Sequence, residues 1–324
     1  MLLTARQIKD ACGDTPFIYR AGAWKPRTSP TSFQGIGEEA LKWLAEVKRE
    51  HQIPVATEVA TPEHVEKALA AGIDYLWIGA RTAANPIAVS AIADAIGNHQ
   101  SIPNNLKGVL IKNPVNADAD LWLGNIERLE KTGIPVIAVH RGCNHQPCWS
   151  MAHKVRTKRP DIPMLLDPSH LSGDAAKVPA LMTKIAELGL DGTMLEVHCC
   201  PEKALSDKKQ QITPTFLRDC LDPILSRLCL VSLICPSNAT ELNWLRAEMD
   251  ELDDSLWETI AARMDVSQRI GEWKKTNKIA PLQPERFADI LTRRLKWAEE
   301  NGIGTDFVRQ MMEAIHQESL KRQK

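Results

Sequence analysis

The segment Arg20–Gly37 reads R-A-G-A-W-K-P-R-T-S-P-T-S-F-Q-G-I-G and follows a short apolar run that we predict to be a β-strand. Its first eight positions hold three cations, Arg20, Lys25 and Arg27, and two hydroxyl side chains come directly after them. Two prolines stiffen the backbone and move the residue before each of them out of helix. A rigid segment with cations and hydroxyls suits a doubly anionic substrate, and a solvated basic loop is the alternative.

Outward from this segment, short apolar runs alternate with amphipathic helices. Strands and helices that alternate with short connections indicate a parallel sheet. Seven strands are predicted: Phe17–Arg20, Ile53–Val59, Tyr75–Gly79, Gly108–Lys112, Pro135–Val139, Ile162–Leu166 and Gly192–His198. A closed barrel of this kind has eight strands, and here a helix precedes the first predicted strand. The sequence therefore predicts a (β/α)8 TIM barrel whose first strand is missing, with unpaired strand edges and an apolar slot.

Charged side chains stand at or just after the carboxyl end of every predicted strand: Arg20, Glu58, Arg81, Lys112, Arg141, Asp167 with His170, and Glu196. A barrel builds its active site from these ends, whereas an open doubly wound sheet gathers ligand groups at one switch point. The spread over all strands favours the barrel. The cations suit a substrate with carboxylate and phosphate groups, and His170, Glu196 and Asp207 are candidate ligands of a divalent metal.

From residue 239 to the end the pattern is helical throughout. The run S-L-I-C-P-S-N at 232–238 is predicted to be a linker between a barrel domain, 1–231, and a helical domain, 239–324. Three helices are expected in the helical domain: Thr240–Lys275, Glu285–Glu300, and one from Thr305 onward. Arg263 and Lys274 are eleven residues apart and fall within about 20° of one helix face, whereas Arg246 lies roughly 100° away from Arg263. One helix face therefore cannot bring all three cations into a single site, but an arrangement of two chains can.

The composition excludes several classes of function. The 40 basic and 41 acidic residues nearly cancel, which gives no argument for nucleic acid or a membrane as the main partner. No apolar run is long enough to span a bilayer, and the N-terminal residues do not form a signal peptide. The eight cysteines form no C-x-x-C pair, so we predict free thiols in a reducing cytoplasm.

The barrel part of the sequence contains the motifs Lys25-Pro26-Arg27-Thr28-Ser29, Ser32-Phe33-Gln34-Gly35, Ile78-Gly79-Ala80-Arg81, Asp167-Pro168-Ser169-His170, Leu195-Glu196-Val197-His198, and the run from Pro201 to Asp207. Over about residues 1–215, these motifs resemble 3-deoxy-D-arabino-heptulosonate 7-phosphate (DAHP) synthases of the compact type Iβ. The resemblance implies a metal-dependent, aldol-type condensation of phosphoenolpyruvate with erythrose 4-phosphate.

The resemblance also implies residue roles. Phosphoenolpyruvate would be held by Arg20, Lys25, Ala80, Arg81, Lys112 and Arg141. The sugar phosphate would be held by Arg27, Thr28 and Ser29. A divalent metal, Mn²⁺ or similar, would be bound by His170, Glu196 and Asp207. Lys25, Lys112 and His170 are the expected catalytic residues. The family's fourth ligand is a cysteine in a first-strand G-P-C-S-x-E segment, and the segment is absent here. Of the cysteines present, Cys143 and Cys199 lie nearest to the expected mouth of the barrel and are the alternatives considered for this fourth ligand.

The helical domain contains Leu245-Arg246, Met249, Leu252-Asp253, Arg263, Gly271-x-x-Lys274, Gln283-Pro284-Glu285-Arg286 and the run Glu318–Gln323. Over about residues 238–324, these motifs resemble the all-helical chorismate mutases. The resemblance implies a cofactor-free rearrangement of chorismate to prephenate in an intertwined homodimer. Arg246 would act in the partner's site. The other expected residues, all in cis, are Arg263, Lys274, Arg286 and Gln323 for catalysis and Gln283 and Ser319 for binding. Phe287 departs from members that have a substrate-contacting glutamate.

The sequence therefore predicts a bifunctional shikimate-pathway enzyme, in which the mutase domain senses prephenate and restrains the synthase. One alternative is that only the mutase is active and the barrel is a scaffold or regulatory module, because the cysteine strand is absent. Another is a related phosphoenolpyruvate-dependent sugar-acid synthase, some of which need no metal. The Lys25–Ser29 run argues against that reading.

Overall fold

The structure is a computed structural model that describes residues 1–27, 29, 31–98, 106–144, 146–222, 237–280 and 283–323. The chain divides into two compact units, Met1–Glu248 and Met249–Lys324. Of the predicted linker, residues 232–236 lie outside the described residues, and 237 and 238 already belong to a helix.

The first unit is built on a seven-stranded sheet in which each strand pairs in parallel with its neighbour in the chain. The strands are β1 (Tyr19–Arg20), β2 (Val55–Val59), β3 (Tyr75–Ile78), β4 (Gly108–Lys112), β5 (Val136–His140), β6 (Met164–Leu166) and β7 (Gly192–Thr193). Parallel strands in sequential order, each followed by a helix, are the arrangement of a (β/α) barrel. The predicted fold class is confirmed.

Helices surround this sheet: α1 (Leu2–Cys12), α2 (Glu38–His51), α3 (Pro62–Ala70), α4 (Ala80–Ala83), α5 (Pro86–Asn98), α6 (Ala119–Glu130), α7 (Trp149–Lys158), α8 (Pro168–Ser172), α9 (Val178–Glu187) and α10, described over 214–222. Each helix packs with its apolar face towards the core of the unit. The face of α2 that carries Leu41, Leu44 and Val47 is buried. Thr61 begins α3 by accepting a hydrogen bond from the His64 amide.

On the sheet, strands β2 to β5 and the residue after β7 contribute a small apolar cluster of Ala56, Trp77, Leu110, Val139 and Met194. Beside it lies a cavity of about 460 Å³, lined by β1 and β7 and by α1 and α9. Among the described residues no strand pairs β1 with β7. The cavity matches the apolar slot that the sequence predicts.

The seventh strand is shorter than predicted. The backbone ladder with β6 continues to the Met194 amide, which donates to Leu166 at 2.7 Å. The Glu196 amide instead donates to the Ser169 hydroxyl at 3.0 Å, and the His198 amide donates to the Ile212 carbonyl. A side-chain acceptor thus ends the ladder, and Glu196 lies beyond the end of the strand.

Three helices make up the C-terminal part of the described chain, close to the predicted bounds: α11 (Ser237–Thr276), α12 (Pro284–Glu300) and α13 (Thr305–Arg322). The boundary between the two units falls within α11. Several large apolar side chains of the second unit are exposed: Met249, Leu252, Leu256, Trp257, Val266, Ile270, Trp273, Trp297 and Phe307. Over the ranges described, no helix combines the length and apolar character needed to cross a membrane.

Candidate active sites

Lys112, Asp167 and His170 form a buried cluster at the carboxyl ends of β4 and β6. Lys112 Nζ donates to Asp167 Oδ2 at 2.7 Å, and His170 Nδ1 lies 2.9 Å from the same oxygen. Asp167 is fixed because it caps α8, where its Oδ1 accepts from the His170 amide at 3.1 Å. Burial acts to raise the pKa of Asp167, but His170 and Lys112 hold it well below its usual value. Burial lowers the pKa of both Lys112 and His170.

Glu196 lies between His170 and Arg20. Its Oε1 is 3.6 Å from His170 Nε2 and 3.6 Å from Arg20 Nη2, and its Oε2 accepts from Gln210 at 2.9 Å. Burial opposes ionisation of Glu196, but the charges of His170 and Arg20 outweigh it and lower its pKa. The Nε and Nη2 atoms of Arg20 are buried and make no hydrogen bond to the described residues. Such orphaned donors are suited to an anionic ligand.

Asp207 lies in the loop that follows Glu196, and its carboxylate contacts two cations of the segment after β1. Lys25 Nζ contacts Asp207 Oδ2 and donates to Ser206 Oγ at 2.9 Å. Arg27 reaches both carboxylate oxygens of Asp207, at 3.2 and 3.0 Å. Burial acts to raise the pKa of Asp207, but the hydrogen bonds from Arg27 and Lys25 lower it below its usual range. In this structure the cations expected to hold substrate are therefore held by an internal carboxylate.

The expected metal ligands are only partly brought together. His170 Nε2 and Glu196 Oε1 face each other at 3.6 Å, a spacing that two ligands of one cation can adopt. Asp207 is bound by Lys25 and Arg27 instead. In the described part of the chain, no three His, Cys, Asp or Glu side chains form a group that could hold a metal. The residues fit a divalent cation at two of three positions, and Asp207 would have to leave its two cations to complete the set.

Glu58, near the end of β2, is a half-buried acid for which the sequence predicted only a place at a strand end. A Cβ at position 79 would collide with Glu58 Oε1, so the glycine there leaves room for it. Burial raises the pKa of Glu58, although Lys112 and Arg20 oppose this effect. A carboxyl group tuned in this way is suited to hold or accept a proton. A glutamate within the short V-A-T-E-V strand was the feature of the sequence that could have indicated a role for this residue.

The remaining barrel residues lie around this cluster. Arg81 Nη1 donates to the Pro26 carbonyl at 3.3 Å, beside Lys25, and Ala80 begins α4. Arg141 follows β5, and burial lowers its pKa. Ser29 is exposed, with its hydroxyl 2.8 Å from that of Thr31. Thr28 lies outside the described residues.

In the helical unit, α11 and α13 hold two cations against neutral side chains. Arg263 Nη1 donates to Ser319 Oγ at 2.5 Å, and Lys274 Nζ donates to Gln323 Oε1 at 3.1 Å. The helices approach closely because position 271 is glycine, where a Cβ would lie 2.6 Å from Gln323 Cα. Burial lowers the pKa of Arg263.

The other predicted mutase residues are exposed. Gln283 and Arg286 lie at the start of α12. Arg246 lies in the part of α11 that belongs to the first unit. The two cations of α11 and their partners on α13 are therefore the assembled part of this second site.

These features define a class: a parallel (β/α) barrel that gathers cations and acids at its strand ends, continued by an all-helical module with two clamped cations. The family model described as DAHP synthetase I matches residues 1–222, and the model of chorismate mutase type II matches residues 245–324. The chain therefore belongs to the DAHP synthetase I family and carries a chorismate mutase type II domain.

Similar proteins agree with both assignments. The phospho-2-dehydro-3-deoxyheptonate aldolase of Thermotoga maritima is 33% identical over 202 residues, which cover 60% of this chain and 56% of that protein. The 4-amino-4-deoxychorismate mutase of Streptomyces pristinaespiralis is 32% identical over 87 residues, 26% of this chain and 67% of that protein. The crystal structure of the Thermotoga maritima DAHP synthase superposes with a TM-score of 0.59 at 28% identity, over 71% of this chain and 65% of that one. The chain thus spans little more than half the length of its Thermotoga relative.

Proposed function

We propose that this chain is a bifunctional shikimate-pathway enzyme of the cytoplasm. The barrel domain, 1–231, condenses phosphoenolpyruvate with erythrose 4-phosphate to DAHP, and the helical domain, 239–324, rearranges chorismate to prephenate. The observation that carries the proposal is the strand-end cluster in which Arg20, Lys25 and Lys112 stand beside His170 and Glu196. The described cysteines are all free, which suits a reducing compartment.

In the barrel, the cations bind and orient two anionic substrates that would otherwise repel each other. Phosphoenolpyruvate is assigned to Arg20, Lys25, Ala80, Arg81, Lys112 and Arg141, and the sugar phosphate to Arg27, Thr28 and Ser29. The orphaned donors of Arg20 gain an acceptor when phosphoenolpyruvate binds. Substrate anions also replace Asp207 as the partner of Lys25 and Arg27. Substrate binding thereby releases the Asp207 carboxylate.

A divalent metal, Mn²⁺ or similar, supplies Lewis-acid polarisation of the sugar aldehyde when it is bound. Its proposed ligands are His170, Glu196 and the released Asp207. Glu58 has the raised pKa of a group that can hold a proton beside the reacting atoms.

In the helical domain, the proposed reaction is pericyclic and needs positioned cations rather than a nucleophile. Arg263 and Arg286 are assigned to the carboxylates of chorismate, and Lys274 with Gln323 to its ether oxygen. Ser319 fixes the guanidinium of Arg263. Gln283 is assigned to substrate binding. Arg246 is assigned to the site of the partner chain.

A homodimer is supported by the apolar stripe on α11. Met249, Leu252 and Leu256 recur at helical spacing and are exposed by 60%, 66% and 41%, and Val266 and Ile270 are exposed farther along. An exposed apolar stripe of this length is unfavourable in water and marks a surface that contacts another protein chain. We expect a dimer in solution, measured by light scattering, and Leu252→Glu should favour the monomer and reduce mutase activity. A monomeric wild-type protein would contradict this assignment.

Prephenate feedback on the synthase is part of the proposal. A row of aromatic rings within the first unit leads from β5 to α11. The His140 ring lies 5.4 Å from Trp149, Trp149 lies 6.2 Å from Trp244, and Trp244 stacks on His153 at 5.4 Å. His140 directly precedes Arg141, a proposed phosphoenolpyruvate residue.

Two acids of α11 also contact His153 of α7, which belongs to this row of rings. His153 Nδ1 lies 2.5 Å from Glu248, and its Nε2 lies 3.2 Å from Glu241. The same helix carries Arg263 and Lys274, so a ligand that shifts α11 acts on both the proposed mutase residues and the ring row. Trp244→Ala should weaken inhibition of condensation by prephenate while mutase activity persists. Leu242→Ala, at an exposed position of the same helix, is the control. If prephenate left the synthase activity of the intact protein unchanged, that result would contradict the proposed feedback.

The central experiment measures both activities in the purified chain. Condensation is assayed with Mn²⁺ and with a chelator, and mutase activity is assayed in parallel. We expect metal-dependent condensation that Lys25→Ala reduces about 100- to 1,000-fold without affecting the mutase. Arg263→Ala should have the opposite pattern.

The second candidate function is a mutase attached to an inactive barrel, and the open apolar slot between β1 and β7 favours it. In that case only Arg263→Ala would abolish an activity, and no condensation would be detected with any divalent metal. Chelator-insensitive condensation with a different sugar would instead indicate a related sugar-acid synthase.

A further inference from the structure

Two aromatic rings from different helices stack in the helical unit. Phe287 of α12 and His316 of α13 have ring centroids 4.0 Å apart and an angle of 14° between their planes. Both side chains are half-buried. His316 lies one helical turn before Ser319, whose hydroxyl accepts from Arg263, so it shares a face of α13 with the proposed site. Phe287 follows Arg286, which brings both rings into the neighbourhood of the cations.

The surroundings keep the His316 ring neutral. Burial lowers its pKa, and the positive charges of Arg263 and Lys274 lower it further. A neutral imidazole has one N–H donor and one bare nitrogen that accepts a hydrogen bond. Within the described part of the chain, neither ring nitrogen of His316 makes a hydrogen bond to the protein. The ring can therefore donate to or accept from a ligand.

A packing role alone does not explain a histidine here. A leucine could pack against Phe287, and a phenylalanine could stack on it, without placing a basic nitrogen beside two cations that oppose its protonation. The cost of a half-buried polar ring is offset if the ring contacts a polar group of the ligand.

We propose that His316 contacts the ring hydroxyl of the mutase substrate, and that the Phe287–His316 pair thereby selects the ring substituent that this site accepts. The inference rests on the proposed mutase function. Chorismate carries two carboxylates, an ether oxygen and one hydroxyl, and the cations account for all of these except the hydroxyl. The bare imidazole nitrogen accepts from that hydroxyl, and Phe287 holds the imidazole plane by stacking.

The test compares chorismate with an analogue that lacks the ring hydroxyl, using the full-length protein. His316→Leu should lower kcat/KM for chorismate about 10- to 100-fold and change that for the analogue less than about two-fold. His316→Gln should recover most of the activity because its amide also forms a hydrogen bond. Phe287→Leu keeps an apolar side chain but removes the stacked ring, and it should give a smaller, chorismate-selective loss.

Three outcomes would overturn the inference. His316→Leu could match the wild type on chorismate, or it could lose equal activity on both substrates, as expected for a structural role. A selective loss that His316→Gln does not recover would also contradict a hydrogen-bonding role. Thermal unfolding and the condensation assay check that each variant is folded. A wild-type protein without mutase activity would instead refute the proposed function itself.

Discussion

The barrel and the helical unit surround their cations in opposite ways. In the barrel, carboxylates accompany the cations: Lys112 contacts Asp167, and Lys25 contacts Asp207. In the helical unit, Arg263 contacts the neutral hydroxyl of Ser319, and Lys274 likewise contacts a neutral amide.

The difference follows from what each proposed reaction demands. A condensation moves protons and brings two anions together, so it benefits from acids and bases whose charges are balanced before substrate arrives. A pericyclic rearrangement transfers no proton to the protein, and a fixed positive field is sufficient. The barrel site should therefore depend on its acids for stability and chemistry, whereas the helical site should tolerate losing a neutral partner.

Asp167→Asn should have the largest effect. Asp167 is fully buried and its removal leaves Lys112 without its carboxylate, so the free energy of unfolding should fall by about 3 to 5 kcal/mol. Condensation should be lost as well. Urea denaturation measures the first change. Asp161→Asn is the control, because Asp161 pairs with Arg159 at the surface, where solvent screens the interaction, so its loss should have a much smaller effect. Equal effects of the two substitutions would show that burial of the Lys112–Asp167 pair adds nothing to the stability of the barrel.

The buried His140 should make the barrel sensitive to acid. Burial lowers its pKa from 6.5 to about 4, so the folded state takes up its proton at lower pH than the unfolded state. The stability it contributes is complete above about pH 6.5 and is lost as the pH falls towards about 4, for a total of roughly 3 kcal/mol. His140→Phe should flatten this part of the stability profile, measured by urea unfolding across the range. An unchanged slope would show that other groups cause the acid sensitivity.

Ser319→Ala should act on the helical unit with a smaller effect. The hydroxyl positions the Arg263 guanidinium, and its loss should lower mutase kcat/KM about ten-fold with little change in stability. Ser255→Ala, at an exposed position of α11, should change neither. If Ser319→Ala destabilised the protein as much as Asp167→Asn, the two sites would be built alike.

Gly79→Ala should have the smallest effect. The added methyl group would displace the flexible end of Glu58, and condensation should fall several-fold while the fold persists. Gly97→Ala is the matched control because open space surrounds that position of α5. Unchanged condensation in Gly79→Ala would show that the exact position of Glu58 is unimportant.

Periodic patterns predicted most of the fold. Strand β4 begins and ends where the sequence indicates, because a short continuous apolar run between polar residues defines it locally. The seventh strand is shorter than predicted because the hydroxyl of Ser169, in α8, accepts the hydrogen bond of the Glu196 amide that would continue the ladder. That contact joins distant segments and leaves no periodic signal.

The candidate site was predictable as a set of residues but not as a set of contacts. Charged strand ends and motifs identify the cations and acids. The pairing of Lys25 and Arg27 with Asp207 depends on side-chain positions about 180 residues apart in the chain. The stacking of Phe287 on His316 depends likewise on the packing of two helices. Tertiary packing, not local pattern, determines both.

The ring row that attaches α11 also has an optical consequence. Trp149 and Trp244 lie edge to face at 6.2 Å, and His153 covers the second indole at an interplanar angle of 5°. Indoles held in fixed orientations give near-ultraviolet circular dichroism that disappears when their packing loosens. The protein therefore carries a label-free spectroscopic reporter of how the start of α11 packs within the first unit.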